Sequence, residues 1–403
     1  MNTLIKQSTL VGKVNIPSSK SMIHRYLICA TLAKGKSIIN NVTFSDDIYA
    51  TLNAVKALGA SYEVVENNVV IKGISSSKKD GVIDCKESGS TIRFLIPVAL
   101  VFGGAVFKGR GRLMERPFGP YLEIFNKQGI YYNLNYDTLE VSGNLKSGIY
   151  EIDGDISSQF ISGLLFAFSM LKEKSEIIIK KPLQSKSYVD MTISALETFG
   201  VKVINKDYNR FIVTGNTELT ARNCNVEGDY SQAAFFLVGN FLGNDVEVLG
   251  LSENSIQGDK MIKDVIKLLK SDEDLDIDVS EIPDLVPIIA VGASLRAGKK
   301  TTLSNASRLR LKESDRLEST CSELRKLGAD IKIIDNSLYI NGKDRLTGGE
   351  VQSHNDHRIA MAMAIAATGC NDDVLIKQSE CVTKSYPGFW HDYKMLGGNI
   401  IQS

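Results

Sequence analysis

The stretch Leu52–Gly73, LNAVKALGASYEVVENNVVIKG, decides how the chain is built. Apolar residues at helical spacing lead to Gly59, two alternating strand-like runs follow, and Glu66-Asn67 lies between those runs. This grammar predicts a helix, a glycine stop and a hairpin. Glycine accepts the left-handed backbone that ends a helix, and short polar turns join paired strands.

The grammar returns in Leu122–Gly143 (LEIFNKQGIYYNLNYDTLEVSG), Ile193–Gly215 (ISALETFGVKVINKDYNRFIVTG) and Cys321–Lys343 (CSELRKLGADIKIIDNSLYINGK). Gly129, Gly200 and Gly328 take the place of Gly59, and Gly397 in YKMLGGNII (Tyr393–Ile401) opens a copy that runs to the C-terminus. The period is about 70 residues. The interval between Gly200 and Gly328 holds one more unit, with IKDVIKLLKSDEDLDIDV (Ile262–Val279) in the expected place and its hairpin shortened. Six copies are implied. A chain of 403 residues also exceeds one ordinary core, so two domains are expected.

Each copy carries a second, more apolar helix, whose entrances read SSKSMIHR, ESGSTIRF, SSQFISG, DYSQAAFF, PDLVPIIA and NDHRIAMA. Hydroxyls, amides and carboxylates in front of an apolar run are what helix capping needs, and for one copy capping alone accounts for them. In phase, they imply helix N-termini that converge, each with free N–H groups and partial positive charge suited to an anion. Lys20 and Arg25, Arg93, and Arg358 lie at three of these entrances, while Arg116, Lys312, Arg316 and Lys384 lie in loops. Arginine forks match phosphate or carboxylate oxygens, and lysine supplies a compact charge.

Bulk composition fits a soluble globular protein, expected to be cytoplasmic. With 47 basic and 47 acidic residues the net charge is zero, so no global field favours nucleic acid or an anionic membrane. The six cysteines show no CxxC spacing and lie mostly in apolar surroundings, as buried thiols of a reducing compartment do. The start, MNTLIKQSTL, lacks a secretory pattern, and FLIPVALVFGGAVF (Phe94–Phe107) is too short to span a bilayer and reads as a buried helix. His354 and His357 in HNDH have no further ligand at zinc spacing, so no metal is expected. KGRGR (Lys108–Arg112) lacks the Walker pattern.

PSSKSMIHR, ESGSTIRF, MERPFGPY, ISSQFISG, SKSYVDMT, VEGDYSQAAFFL, IPDLVPIIA, LKESDRL, HNDHRIAMA and CVTKSYPGFW occur in this order across nearly the whole chain. The ordered set closely resembles the EPSP synthase (3-phosphoshikimate 1-carboxyvinyltransferase) family. The resemblance implies a two-domain inside-out α/β barrel of six βαβαββ repeats, three per domain. Residues 1–15 with 226–403 would form one domain and 16–225 the other, with the active site in the cleft between them. It also implies a monomer that needs no cofactor, with phosphoenolpyruvate and shikimate 3-phosphate as its substrates. The products would be 5-enolpyruvylshikimate 3-phosphate and phosphate, on the route to chorismate and the aromatic amino acids.

Carried over position by position, the resemblance assigns Lys20, Ser21, Arg25, Ser157, Ser158, Gln159, Ser185, Tyr188, Asp284 and Lys312 to shikimate 3-phosphate. It assigns Lys20, Gly89, Arg116, Gln159, Arg316, Arg358 and Lys384 to phosphoenolpyruvate. Asp284 is read as the base for the 5-hydroxyl, Glu313 as the group that exchanges a proton at the methylene carbon, and Lys312 and Lys20 as charge stabilisers. Lys312 and Glu313 are expected to share an irregular turn, because helical neighbours point apart. One rival is the enolpyruvyl transferase acting on UDP-N-acetylglucosamine, which carries asparagine after the first lysine and a cysteine in the loop near Arg116. Here Ser21 follows Lys20, and that loop has no cysteine. The other rival, a non-catalytic anion-binding repeat scaffold, has no need of Asp284 and Glu313. Glu87 departs from the family's usual asparagine, and a carboxylate there repels a nearby phosphate unless it is turned away or paired.

Overall fold

The computed structural model describes residues 1–75 and 81–403. It opens with β1 (Thr3–Lys6) and β2 (Val11–Asn15). The first repeat holds α1 (Lys20–Leu32), β3 (Lys36–Asn40), α2 (Asp46–Ala57), β4 (Ser61–Val65) and β5 (Asn68–Lys72). The second holds β6 (Val82–Asp84), α3 (Gly89–Val101), β7 (Gly104–Lys108), α4 (Gly119–Gln128), β8 (Tyr131–Leu134) and β9 (Thr138–Ser142). The third holds β10 (Ile149–Ile152), α5 (Ser158–Phe168), β11 (Ser175–Ile179), α6 (Lys186–Thr198), β12 (Ile204–Lys206) and β13 (Arg210–Val213). After β14 (Asn223–Asn225) comes the fourth, with α7 (Tyr230–Phe241), β15 (Asp245–Leu249) and α8 (Ile262–Leu269). The fifth holds β16 (Leu275–Asp278), α9 (Val286–Ser294), β17 (Lys300–Ser304), α10 (Arg316–Lys326), β18 (Asp330–Ile334) and β19 (Ser337–Asn341). The sixth holds β20 (Gly349–Gln352), α11 (His357–Ala366), β21 (Val374–Lys377), α12 (Phe389–Met395) and β22 (Asn399–Gln402).

Two compact units result, Met1–Pro17 with Glu227–Ser403, and Ser18–Val226. Neither repeat one nor repeat four takes its leading strand from its own stretch of chain. β14 runs parallel to β3 of the first repeat, while β2 runs parallel to β15 of the fourth. The sixth sheet is completed by β1, which pairs antiparallel with both β21 and β22. Sheets of the form β6-β7-β9-β8 recur, a parallel pair extended by an antiparallel hairpin.

The helix-ending glycines do what their positions predict. Gly59, Gly129, Gly200, Gly328 and Gly397 all have positive φ, between 67° and 105°. In the hairpin after Gly328, Asp335 and Asn336 are both left-handed, the backbone that a two-residue hairpin turn requires.

Two expectations are corrected. The fourth repeat has no hairpin at all, because LDID of its supposed strand is β16, which pairs in parallel with β17 of the fifth repeat. Arg296 gathers the short link left behind: its guanidinium donates to the carbonyls of Leu269, Ser271 and Glu273. Phe94–Phe107 is not one helix either. α3 stops at Val101, Gly103 and Gly104 turn with φ of 105° and 121°, and the rest is β7.

In each unit the apolar second helices fill the centre. α7, α9 and α11 pack on one another in one unit, and α3 packs on α5 in the other. Pro97 within α3 removes the donor that would serve the Arg93 carbonyl one turn back. Tyr121 supplies the replacement, its hydroxyl donating to that carbonyl at 2.6 Å. Gly163 of α5 leaves the space, since a Cβ there would lie 2.3 Å from the Tyr121 hydroxyl. Among the described residues, no helix is long and apolar enough to cross a membrane.

Candidate active site

In the unit Ser18–Val226, Arg25 of α1 is buried, and each of its three nitrogens donates to a neighbour. Nε donates to Thr192 Oγ1 at 2.9 Å, and the two terminal nitrogens donate to the carbonyls of Ser21 and Tyr188, both at 2.7 Å. Its guanidinium carbon lies 5.1 Å from the Phe94 ring centre and 6.0 Å from that of Tyr188. Burial pushes this group down to about 10, which leaves it charged at neutral pH. Lys20, the first residue of α1, pairs with Asp47 at 2.7 Å. Ser185, held left-handed at φ 57°, leads into α6, whose Tyr188 carbonyl and Thr192 hydroxyl accept from Arg25.

The second and third entrances meet through Gln159. Its amide oxygen accepts from Arg93 at 2.8 Å and its amide nitrogen donates to Ser90 at 3.1 Å. Ser157 caps α5 by accepting from the Gln159 N–H, and Ser158 is buried behind it. Gly89 opens α3 against Arg116, where a Cβ would lie 2.7 Å from a guanidinium nitrogen. The Glu87 carboxyl carbon lies 3.0 Å from where a Cβ on Gly111 would stand, in the KGRGR loop.

In the other unit, Asp284 is the hub. Its carboxylate accepts from Lys312 at 3.0 Å, from Arg316 at 2.9 Å and from Arg358 at 3.0 Å. Burial alone would raise this carboxyl, but Arg358, Lys312 and Arg316 outweigh it and hold it well below the usual carboxylate range. Arg316 also makes a forked pair with the fully buried Asp356, at 2.9 and 3.2 Å, and holds Glu313 at 2.5 Å. Burial pulls the Lys312 ammonium down from its ordinary value. Lys312 and Glu313 do lie in an irregular turn, between a short 3-10 turn (Ser307–Leu311) and α10. Lys384 donates to the Asn355 carbonyl at 2.6 Å.

Lys20, Ser21, Arg25, Gly89, Arg116, Ser157, Ser158, Gln159, Ser185 and Tyr188 thus belong to one unit, and Asp284, Lys312, Glu313, Arg316, Arg358 and Lys384 to the other. Sequence reasoning missed the acidic partners. Asp356 stands inside the quoted NDHR string and could have been found there, whereas nothing local marks Asp47. Asp259 was missed too; it is buried, accepts from Ser231, and is pushed up to about 6 by burial and then by the charge on Asp284.

Buried cations held by fixed acceptors, set at helix entrances of a six-repeat α/β fold, define a protein equipped to hold small anions. The EPSP synthase (3-phosphoshikimate 1-carboxyvinyltransferase) family pattern matches residues 4–393. The 3-phosphoshikimate 1-carboxyvinyltransferase of Clostridium perfringens (strain SM101 / Type A) is 47% identical over 98% of this chain and 98% of its own. That of Clostridioides difficile (strain 630) is 46% identical over 98% and 97%. The fold of EPSP synthase from Acinetobacter baumannii matches with a TM-score of 0.82 over 100% of both chains, at 24% identity. The chain belongs to the EPSP synthase family.

Proposed function

We propose that the chain transfers the enolpyruvyl group of phosphoenolpyruvate to the 5-hydroxyl of shikimate 3-phosphate, releasing phosphate by addition and elimination. The observation that carries this reading is one carboxylate, Asp284, accepting from Lys312, Arg316 and Arg358 together. Without ligand the three cations keep Asp284 ionised and weakly basic. An anionic substrate competes for the same cations, and each one drawn away makes Asp284 a better proton acceptor.

In this reading Asp284 takes the 5-hydroxyl proton as that oxygen bonds to the central carbon of phosphoenolpyruvate, while Glu313 delivers a proton to the methylene carbon. Glu313 then takes a proton back from the resulting methyl group, which re-forms the double bond as the C–O bond to phosphate breaks, and the proton held by Asp284 leaves to the departing phosphate or to water. Arg316, Arg358, Lys384, Arg116 and Gly89 hold phosphoenolpyruvate, with Lys20 and Gln159 reaching both substrates. Ser21, Arg25, Ser157, Ser158, Ser185 and Tyr188 hold shikimate 3-phosphate, with Lys312 beside it. Pre-organised cations act mainly by stabilising charge that grows along the path.

The test is phosphate release with both substrates present, with the enol ether product followed by NMR. Release that requires shikimate 3-phosphate supports the reading. Release with UDP-N-acetylglucosamine in its place, or no release, overturns it.

A further inference from the structure

We propose that Glu323 and His354 form a positioning pair that sets the turn carrying Asn355 and Asp356, and through it the grip on phosphoenolpyruvate. This rests on the reaction proposed above. Glu323 lies on α10 two turns beyond Arg316, so both project from one face of that helix. It is 1% exposed, yet its carboxylate is surrounded by donors. His354 Nε2 lies 2.7 Å from Oε1, the Gln352 N–H donates to Oε2 at 2.8 Å, and Lys326 reaches both oxygens at 3.0 and 2.9 Å. Because a carboxylate can only accept, His354 must carry its proton on Nε2.

The turn that follows is one the chain does not adopt freely. His354 and Asn355 are consecutive left-handed residues, at φ 53° and 55°. Ser353 ties the turn from inside, accepting from the Asn355 N–H at its hydroxyl and from the Asp356 N–H at its carbonyl. What the turn presents is chemical: the Asn355 carbonyl to Lys384, and the Asp356 carboxylate to Arg316 and to the start of α11, where Arg358 stands. α10 therefore holds this turn at two points, Arg316 on Asp356 and Glu323 on His354. One attachment permits a pivot; two, about 10 Å apart along the helix, fix the angle. An apolar pair would anchor the helix without burying a carboxylate, so a polar attachment of fixed geometry is matched to orientation rather than to packing.

Glu323→Ala empties a buried position and endangers folding, so the half-exposed His354 is the residue to vary. In His354→Ala, amide hydrogen exchange at Asn355 and Asp356 is expected to quicken about tenfold, and KM for phosphoenolpyruvate to rise about tenfold. KM for shikimate 3-phosphate should stay within about twofold, and His354→Gln, which keeps an N–H donor, should restore both readouts. Unchanged exchange at those two amides overturns the pairing, whether or not the chain is active. With an active chain, an unchanged KM for phosphoenolpyruvate, or an equal rise for both substrates, overturns it as well. Failure of the unaltered chain to release phosphate counts against the reaction alone, and the exchange measurement still decides the pair.

Discussion

Gly89 and Arg116 are in contact to the point that one methyl group would not fit between them: a Cβ on Gly89 would lie 2.7 Å from one guanidinium nitrogen and 3.1 Å from the guanidinium carbon. The far end of an arginine can move, so Gly89→Ala should fold normally while shifting Arg116. KM for phosphoenolpyruvate is expected to rise about tenfold, with KM for shikimate 3-phosphate nearly unchanged. Steady-state kinetics with each substrate varied in turn checks this; equal effects on both would place Arg116 elsewhere in the reaction.

Asp284→Ala should lower kcat by about 10²–10⁴, the usual weight of a general base, with smaller changes in either KM. Turnover within twofold of the unaltered chain would remove Asp284 from the role of base.

Asp356 is fully buried and answers the charge of Arg316, which is itself 1% exposed. Asp356→Ala leaves that guanidinium short of its forked partner, and a broken buried pair costs about 3–5 kcal/mol. Urea unfolding should report a loss of that size, and Ser314→Ala, which removes only a 3.1 Å hydroxyl contact to Asp356, a much smaller one.

Glu323 gives stability a definite dependence on pH. Burial alone would raise its carboxyl, but His354, the Gln352 N–H and Lys326 hold it at about 2, below the ordinary 4.5. A depressed acid stabilises the fold above its unfolded value, and the contribution fades as pH falls through the folded one. The unaltered chain should therefore exceed Glu323→Gln by about 3 kcal/mol above pH 4.5, with the gap closing toward pH 2. A gap independent of pH would mean that the charge is irrelevant.

All six cysteines are free and buried, and burial raises their thiols, Cys370 and Cys381 to about 12. A thiol reagent at neutral pH should label the native chain very slowly and all six after unfolding. Rapid labelling of one cysteine would locate an opening of the fold.

Much of this architecture was legible because its signals are local. A glycine such as Gly59 or Gly328 stops a helix by its own backbone freedom, and the Asp335-Asn336 turn follows from its residue types. The cations at the entrances were equally visible, since lysine and arginine beside serine and glycine stand out in an apolar setting. Partners were not. Asp47 meets Lys20 only after a helix and a strand intervene, and Tyr121 meets the Arg93 carbonyl only because Pro97 left it vacant. The lost hairpin of the fourth repeat was misread for a similar reason: DLDID alternates like any strand, and only its pairing with Lys300–Ser304 reveals which sheet owns it.

The pairing of Thr3–Lys6 with Asn399–Gln402 has a consequence for biogenesis. Residues 7–398 lie between the two strands, so Thr3–Lys6 must wait while that whole stretch is synthesised before its neighbour exists. At roughly 5–20 residues per second that delay runs from about 20 s to more than a minute. Ser18–Val226 can acquire its core in the interval, whereas the flanking unit, however early its leading strands are made, matures only once Asn399–Gln402 has been made.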